Sequence, residues 1–189
     1  MNLAVIGSGG REHAICYKLK QSPKIKKLIC IPGNAGIEEL AENVKIDISN
    51  FNSIYEILKK YKIDIVIIGP EEPLVNGLVD YLSKRKIRVF GPDKFCSQLE
   101  GSKAFMKNLC KKNNIPTANY SVFDNYDEAH NFINKNKIPI VVKADGLAAG
   151  KGVTICSSKE EALNSVKEIL NGKFKSSKKV ILEEFLNGE

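Results

Sequence analysis

Over its first 91 residues the chain alternates short, almost wholly aliphatic runs with longer amphipathic stretches, and this alternation leaves few folds open to it. "LAVIG" (3–7), "KLICI" (27–31), "DIVIIG" (64–69) and "IRVFG" (87–91) read as strands. "REHAICYKLKQS" (11–22), "NSIYEILKKYK" (52–62) and "PLVNGLVDYLSKRK" (73–86) read as helices, the second with Ile54, Ile57, Leu58 and Tyr61 on one face. Strands that are apolar at nearly every position are buried on both faces, which is the situation of a parallel sheet covered by helices. Right-handed crossovers then give a doubly wound, Rossmann-like α/β fold. Its working edge lies at the carboxyl ends of the strands, where the loops read "GSGGRE", "PGNAG", "GPEEP" and "GPD".

The alternation breaks at residues 92–103, within "GPDKFCSQLEGSK". Beyond it, "KAFMKNLCKKNN" is helical, "YSVF" extended and "YDEAHNFINKNK" helical. "PIVVKA" and "GVTICS" form strands around a glycine-rich loop, "KEEALNSVKEILNG" is a helix and "KKVILEEFL" a final strand. Two helices laid on a mostly antiparallel sheet describe an α+β lobe.

Hydrophobic residues make up 43% of the 189 and charged residues 27%, which suits a soluble globular chain. The net charge of +7 raises the question of nucleic acid, but the excess is scattered lysine. Only Arg11, Arg85 and Arg88 are arginine, and no basic stripe interleaves with aromatics. The charge reads as solvated surface, with no nucleic-acid partner expected. Cys16, Cys30, Cys96, Cys110 and Cys156 contain no C-x-x-C pair and read as buried thiols in a reducing compartment. "MNLAVIG" lacks a cationic lead, and no apolar run approaches membrane-spanning length, so the expectation is a cytoplasmic protein with no membrane contact.

The loop "KADGLAAGKG" (143–152) sets two lysines around bare backbone, an arrangement suited to phosphate. It is not a P-loop: three residues separate Gly146 from Gly150, Gly152 follows Lys151 where Ser or Thr is needed, and "VTIC" continues as a strand. A glycine-rich hairpin folding over a triphosphate fits, as does an ordinary flexible hairpin. "GSGGREH" (7–13) follows the first strand like a dinucleotide fingerprint, but Glu12 occupies the third glycine position and no acidic residue closes the second strand. A single phosphate near Gly9, Gly10 and Arg11 suits that loop better than NAD, although Arg11 and His13 also read as surface helix residues. Glu71 and Glu72, just past a buried strand, can accept hydrogen bonds from sugar hydroxyls or an amine, and equally suit the start of a helix. Lys103, Lys143 and Lys151 share the phosphate theme, and "ILEEFL" (181–186) reads as an edge strand whose backbone could face an adenine rim.

Taken in order, "GSGGREHA", "PGNAG", "GPEEPLVNG", "QLEGSKAF", "IPTA", "KADGLAAGKGV" and "EEFLNGE" resemble the N-terminal part of the phosphoribosylamine-glycine ligase (glycinamide ribonucleotide synthetase) family of the ATP-grasp superfamily. The resemblance runs from Met1 to Glu189. It implies an N-terminal substrate-binding α/β domain (1–101, pre-ATP-grasp) and the first part of an ATP-grasp domain (102–189), incomplete at its C-terminus. It also implies ligation of glycine to 5-phosphoribosylamine with ATP, through an acyl phosphate. On matching positions, Lys103 and Lys143 would hold ATP phosphates, with Lys143 and Lys151 as the catalytic cations. Leu147, Ala148, Ala149, Gly150, Lys151 and Gly152 would form the flap. Glu183, Glu184, Phe185 and Leu186 would grip adenine, and Glu189 would begin the ribose-binding stretch. Gly9, Gly10, Arg11 and Glu71 would face phosphoribosylamine. The ligands for Mg²⁺ or Mn²⁺ are expected in the C-terminal part of the family's longer chains, so a chain ending at Glu189 is expected to have little or no ligase activity alone. Another ATP-grasp carboxylate-amine ligase would share the lysines and flap but not "GGREHA" with "PGNAG". A non-catalytic nucleotide-binding module is the other alternative.

Overall fold

The computed structural model describes residues 1–148, 150–174 and 177–188 and divides into two compact units, Met1–Ser97 and Gln98–Glu189. In the first unit β1 (Asn2–Gly7), α1 (Gly10–Lys20), β2 (Lys27–Pro32), a single 3-10 turn (Ile37–Glu39) and β3 (Glu42–Asn43) come first. They are followed by α2 (Phe51–Lys60), β4 (Ile65–Ile68), α3 (Glu71–Val75), α4 (Leu78–Ser83) and β5 (Arg88–Phe90). The sheet order is β3-β2-β1-β4-β5, parallel throughout, with Val5 paired to Cys30 on one side and Ile67 on the other. Alternate residues of each strand feed two cores. Ala4, Ile6, Ile29, Ile31, Val66 and Ile68 meet Ile54 and Leu58 of α2 and Leu78 and Leu82 of α4. Leu3, Val5, Leu28 and Cys30 meet Cys16 of α1 on the opposite face. This is the doubly wound sheet that the aliphatic runs demand, because the central strands β1, β2 and β4 bury apolar side chains on both faces.

Two local expectations are corrected, and two short elements were not foreseen. Residues 73–86 are two helices, because Gly77 takes a left-handed conformation (φ +91°) that a continuing α-helix does not accommodate. The short β3 and the 3-10 turn carry no periodicity long enough to read. Only Cys16, Cys30 and Cys156 are fully buried, whereas Cys110 is partly so and Cys96 is exposed in the irregular stretch after β5.

The second unit holds α5 (Gln98–Gly101), α6 (Lys103–Lys112), β6 (Tyr120–Phe123), α7 (Tyr126–Lys135), β7 (Ile140–Ala144), β8 (Val153–Cys156), α8 (Lys159–Leu170) and β9 (Val180–Glu184). Helices α6, α7 and α8 start at side-chain caps: Ser102 accepts from Phe105 N–H, Asn125 from Asp127 N–H, and Ser158 from Glu161 N–H. The sheet order is β6-β9-β7-β8, all antiparallel. β9 is therefore an inner strand and not the edge that "ILEEFL" suggests; Glu183 pairs with both Tyr120 and Val141. Alternation reports which residues share a face but says nothing about what lies on either side of a strand. Ile140, Val142, Ala144, Cys156, Val180 and Leu182 pack against α7 and α8 through Ala129, Ile133, Ala162 and Val166. The opposite face presents Tyr120, Val141, Lys143, Val153, Ile155, Ile181 and Glu183.

Candidate functional site

Each unit gathers a polar cluster. In the first, β1 ends at Gly7 (φ +126°), and α1 begins two residues later with Gly9 as its N-cap. Glu12 turns back under this loop and accepts the Gly9 N–H at 2.6 Å. It is only 4% exposed and is wedged between two glycines. A Cβ on Gly7 would lie 2.6 Å from its Cδ, and one on Gly69 would lie 2.1 Å from its Oε1. The Gly9 amide is thus committed to Glu12, whereas a Cβ on Gly10 would meet nothing within 4 Å, so the approach to the helix start is open there.

Arg11 stands above the same loop. Its Nη1 donates to Gly69 O at 2.6 Å and its Nη2 to Glu71 Oε1 at 2.7 Å. The Arg11 bond, with help from the Glu71 backbone N–H, holds the Glu71 carboxyl below the usual carboxylate range. The "PGNAG" loop is laced to this edge, Asn34 Nδ2 donating to Ser8 O at 2.8 Å and Asn43 Nδ2 to Asn34 O at 2.7 Å. Gly9, Gly10, Arg11 and Glu71 therefore meet at the carboxyl ends of β1 and β4. Glu72 stays exposed in the first turn of α3.

In the second unit, Lys143 on β7 and Glu183 on β9 lie on the sheet face away from α7 and α8, and Lys143 Nζ donates to Glu183 Oε2 at 2.8 Å. The same oxygen receives Lys107 of α6 at 3.0 Å. Lys107 is almost fully buried and also donates to Thr117 Oγ1 (2.7 Å) and Ala118 O (3.3 Å). Glu183 Oε1 is buried with no partner among the described residues.

At the first turn of α6, Lys103 Nζ donates to Gly146 O at 2.8 Å. Burial is the main cause that lowers its pKa; the Asp145 charge opposes this and the Lys143 charge adds to it. Asp145 itself accepts from Ser102 Oγ and the Ala104 N–H and donates its own N–H to Lys179 O, so the loop's base is tied to α6 and to the residue before β9. Between Leu147 and Gly152 the loop turns back through Lys151 N–H to Ala148 O, then returns to β8 with Ala144 N–H bonded to Gly152 O. Gly152 is required there, because a Cβ would sit 2.5 Å from Ala148 Cβ and 3.3 Å from Ala144 Cβ. Lys151 is exposed.

Glu184 is engaged locally, accepting Asn119 N–H at 2.8 Å and Asn119 Nδ2 at 3.0 Å, and Phe185 and Leu186 are exposed just past β9. Ala149 and Glu189 lie outside the described residues. Among the described residues no three or more His, Cys, Asp or Glu side chains are placed to hold a metal ion, and no helix is long and apolar enough to cross a membrane.

A family model described as phosphoribosylglycinamide synthetase, N domain, matches residues 1–100, and one described as phosphoribosylglycinamide synthetase, ATP-grasp (A) domain, matches residues 101–189. The chain belongs to the phosphoribosylglycinamide synthetase family. A phosphoribosylamine–glycine ligase of Mesorhizobium japonicum is 46% identical over all of this chain and 45% of its own length. The crystal structure of a phosphoribosylamine–glycine ligase from Thermotoga maritima matches with a TM-score of 0.81 at 34% identity, again over all of this chain and 45% of that one. The biotin carboxylase domain of Hydrogenobacter thermophilus 2-oxoglutarate carboxylase, solved with MgADP and bicarbonate, shares the fold (TM-score 0.79, 18% identity, 98% of this chain and 44% of that one). The chain thus spans slightly less than half the length of the family members it matches.

Two residues of this synthetase-family chain emerge only from the structure. Glu12 reads in sequence as a departure from a dinucleotide loop, yet it is the carboxylate around which the loop is built. Lys107 reads as one more helix lysine. The available signal for Lys107 was its place three residues after Ala104 on the buried side of α6.

Proposed function

We propose that the chain supplies the phosphoribosylamine-binding and nucleotide-binding elements of a phosphoribosylamine–glycine ligase. The reaction is ATP + glycine + 5-phosphoribosylamine to ADP + phosphate + glycinamide ribonucleotide, a step of purine synthesis. The observation that carries the reading is the convergence of Lys103 and Lys143 at the base of the glycine-rich loop within a single unit. An ammonium disfavoured by burial, with a second ammonium adding to the effect, is an arrangement waiting for an anion. Lys103 and Lys143 hold ATP phosphates, and Leu147, Ala148, Gly150, Lys151 and Gly152 close over them as the flap; Ala149, expected in the same flap, lies outside the described residues. Glu183 to Leu186 border the adenine; Glu189, expected to begin the ribose-binding stretch, lies outside the described residues.

In this reading the glycine carboxylate oxygen attacks the γ-phosphorus, the bond to the β-phosphate bridging oxygen breaks, and ADP leaves. The amine of phosphoribosylamine then attacks the glycyl carbonyl and phosphate departs. Positioning and neutralisation of the transferring group account for most of the rate in such reactions. Gly10 and Arg11 take the 5-phosphate, with Gly9 lining the loop, and Glu71 accepts from the substrate's amine or hydroxyls. ATP travels with Mg²⁺ or Mn²⁺, and among the described residues no three or more His, Cys, Asp or Glu side chains are placed to hold the ion. A cytoplasmic location fits a pathway on small soluble substrates.

Calorimetric titration of MgATP into the chain tests the reading. Binding is expected, weakened roughly 10- to 100-fold by Lys143→Ala, the equivalent of one charged hydrogen bond of about 1.5–3 kcal/mol. Equal affinity in the wild type and the variant would overturn the phosphate assignment of Lys143.

A further inference from the structure

The buried trio Lys107–Glu183–Lys143 sets two ammonium groups against one carboxylate, and the two lysines are not equivalent. Lys107 has a side chain 4% exposed, ion-pairs with Glu183 Oε2 at 3.0 Å and donates to Thr117 Oγ1 and Ala118 O. It also lies 5.6 Å from the centre of the Tyr120 ring, which helps to accommodate a cation away from water. Lys143 has a side chain 25% exposed and, among the described residues, a single acceptor, the same Glu183 Oε2. One lysine is surrounded by three oxygens and closed off; the other keeps two donors and a path to solvent.

We propose that Lys107 is a positioning residue that acts through Glu183 to keep Lys143 available to phosphate. The inference rests on the reading of Lys143 as a phosphate ligand. A carboxylate as buried as Glu183 cannot be left without a cation, because an unpaired buried charge is far costlier than a paired one. With Lys143 as its only partner, Glu183 would keep that ammonium, and each approach of Lys143 to a phosphate would strand the carboxylate. Lys107 is the permanent counter-charge. It leaves Glu183 satisfied while Lys143 moves, and leaves the cluster one net positive charge to set against the anion. Glu183 in turn fixes the Lys143 stem on the open face of the sheet, so the carboxylate aims the lysine without consuming it.

The test is a double-mutant cycle on the full 189-residue chain with Lys107→Met and Glu183→Gln, reading MgATP affinity by calorimetry and folding by circular dichroism. Lys107→Met is expected to weaken MgATP at least 10-fold in the wild-type background. In the Glu183→Gln background, where no buried carboxylate competes for Lys143, it is expected to change affinity less than about 3-fold. Equal losses in both backgrounds mean that Lys107 acts independently of Glu183, and overturn the proposal. Should Lys107→Met fail to fold, Lys107→Gln, which keeps a donor toward Thr117, carries the same comparison.

A nucleotide-free readout separates this inference from the reading beneath it. The rate at which acetic anhydride acylates Lys143, followed by peptide mass spectrometry, is expected to fall several-fold in Lys107→Met and to recover in the double variant. Recovery without any MgATP binding in the wild type would sink the phosphate reading and leave the positioning role standing. An unchanged acylation rate would sink the positioning role whatever the nucleotide does.

Discussion

Replacing Gly69 by alanine tests the packing beneath the first glycine loop. Gly69 is buried at the end of β4, and an added Cβ would meet Glu12 Oε1 at 2.1 Å, Cδ at 2.6 Å and Cγ at 2.7 Å. A flexible side chain ordinarily swings away from such a contact, but Glu12 is only 4% exposed, is held by the Gly9 N–H, and lies so near Gly7 that a Cβ there would also come within 2.6 Å of it. Two outcomes remain. Either the carboxylate leaves, abandoning the Gly9 N–H and costing about 1.5–3 kcal/mol for a charged hydrogen bond, or it stays and the overpacked loop shifts for about 1–3 kcal/mol. The chain takes the cheaper route, and alanine recovers about 0.4–1 kcal/mol by restricting the unfolded state. The net expectation is a loss of roughly 1–2 kcal/mol, or a Tm lower by about 4–15 °C for a unit of this size. Urea denaturation followed by far-ultraviolet circular dichroism measures it. The decisive comparison uses Glu12→Ala, a background in which the obstacle is gone and Gly69→Ala should be neutral or slightly stabilising. If Gly69→Ala costs the same with and without Glu12, the wedge is not what requires glycine at this position.

Lys103 carries a pH prediction. Its pKa is lowered in the folded chain, chiefly by burial, so the folded state holds fewer protons than the unfolded one between that lowered value and the ordinary 10.5. Stability from this group therefore rises with pH across that window, and below it the buried ammonium is a cost. Phosphate oxygens favour the charged form, so MgATP affinity should fall as pH climbs through the window, with proton uptake visible as a buffer-dependent calorimetric heat; affinity flat up to 10.5 would refute a phosphate role for Lys103. Gly152→Ala should displace the flap, because the new methyl meets Ala148 Cβ at 2.5 Å. MgATP affinity is expected to drop several-fold with a stability loss of about 1–3 kcal/mol, and unchanged affinity would separate the flap's shape from nucleotide binding.

Much of the architecture was legible because aliphatic strands and amphipathic helices are local signals. "LAVIG", "KLICI" and "DIVIIG" are apolar at nearly every position, and only a sheet covered on both faces buries them all. What stayed hidden was not local. Gly77 inside "PLVNGLVDYLSKRK" could have been tolerated in a continuous helix, and only its φ of +91° shows that it ends one. β9 could not be recognised as an inner strand, because both neighbours, β6 and β7, lie about 40–60 residues earlier in the chain and pairing partners leave no mark on the strand itself.

The lysines show the same limit in the chemistry. In sequence Lys103, Lys107, Lys143 and Lys151 are alike, and the +7 net charge treats them alike. In the folded chain they differ by how many of three donors are already spent and by how far water reaches them. Lys107 is buried among three oxygens, two as hydrogen-bond acceptors and one as an ion-pair partner, so its charge is internal to the fold. Lys103 is tethered once, to Gly146 O, and disfavoured as a cation by burial, so an arriving anion stabilises it most. Lys143 is tethered once to a carboxylate already served by another lysine, which aims it without neutralising it. Lys151 is exposed on the flap. The power of a basic cluster to bind phosphate therefore follows its unspent donors rather than its count of positive residues. That distinction depends on Glu183 and Gly146, whose positions are fixed only when strands and loops some 40 residues apart in the chain are brought together.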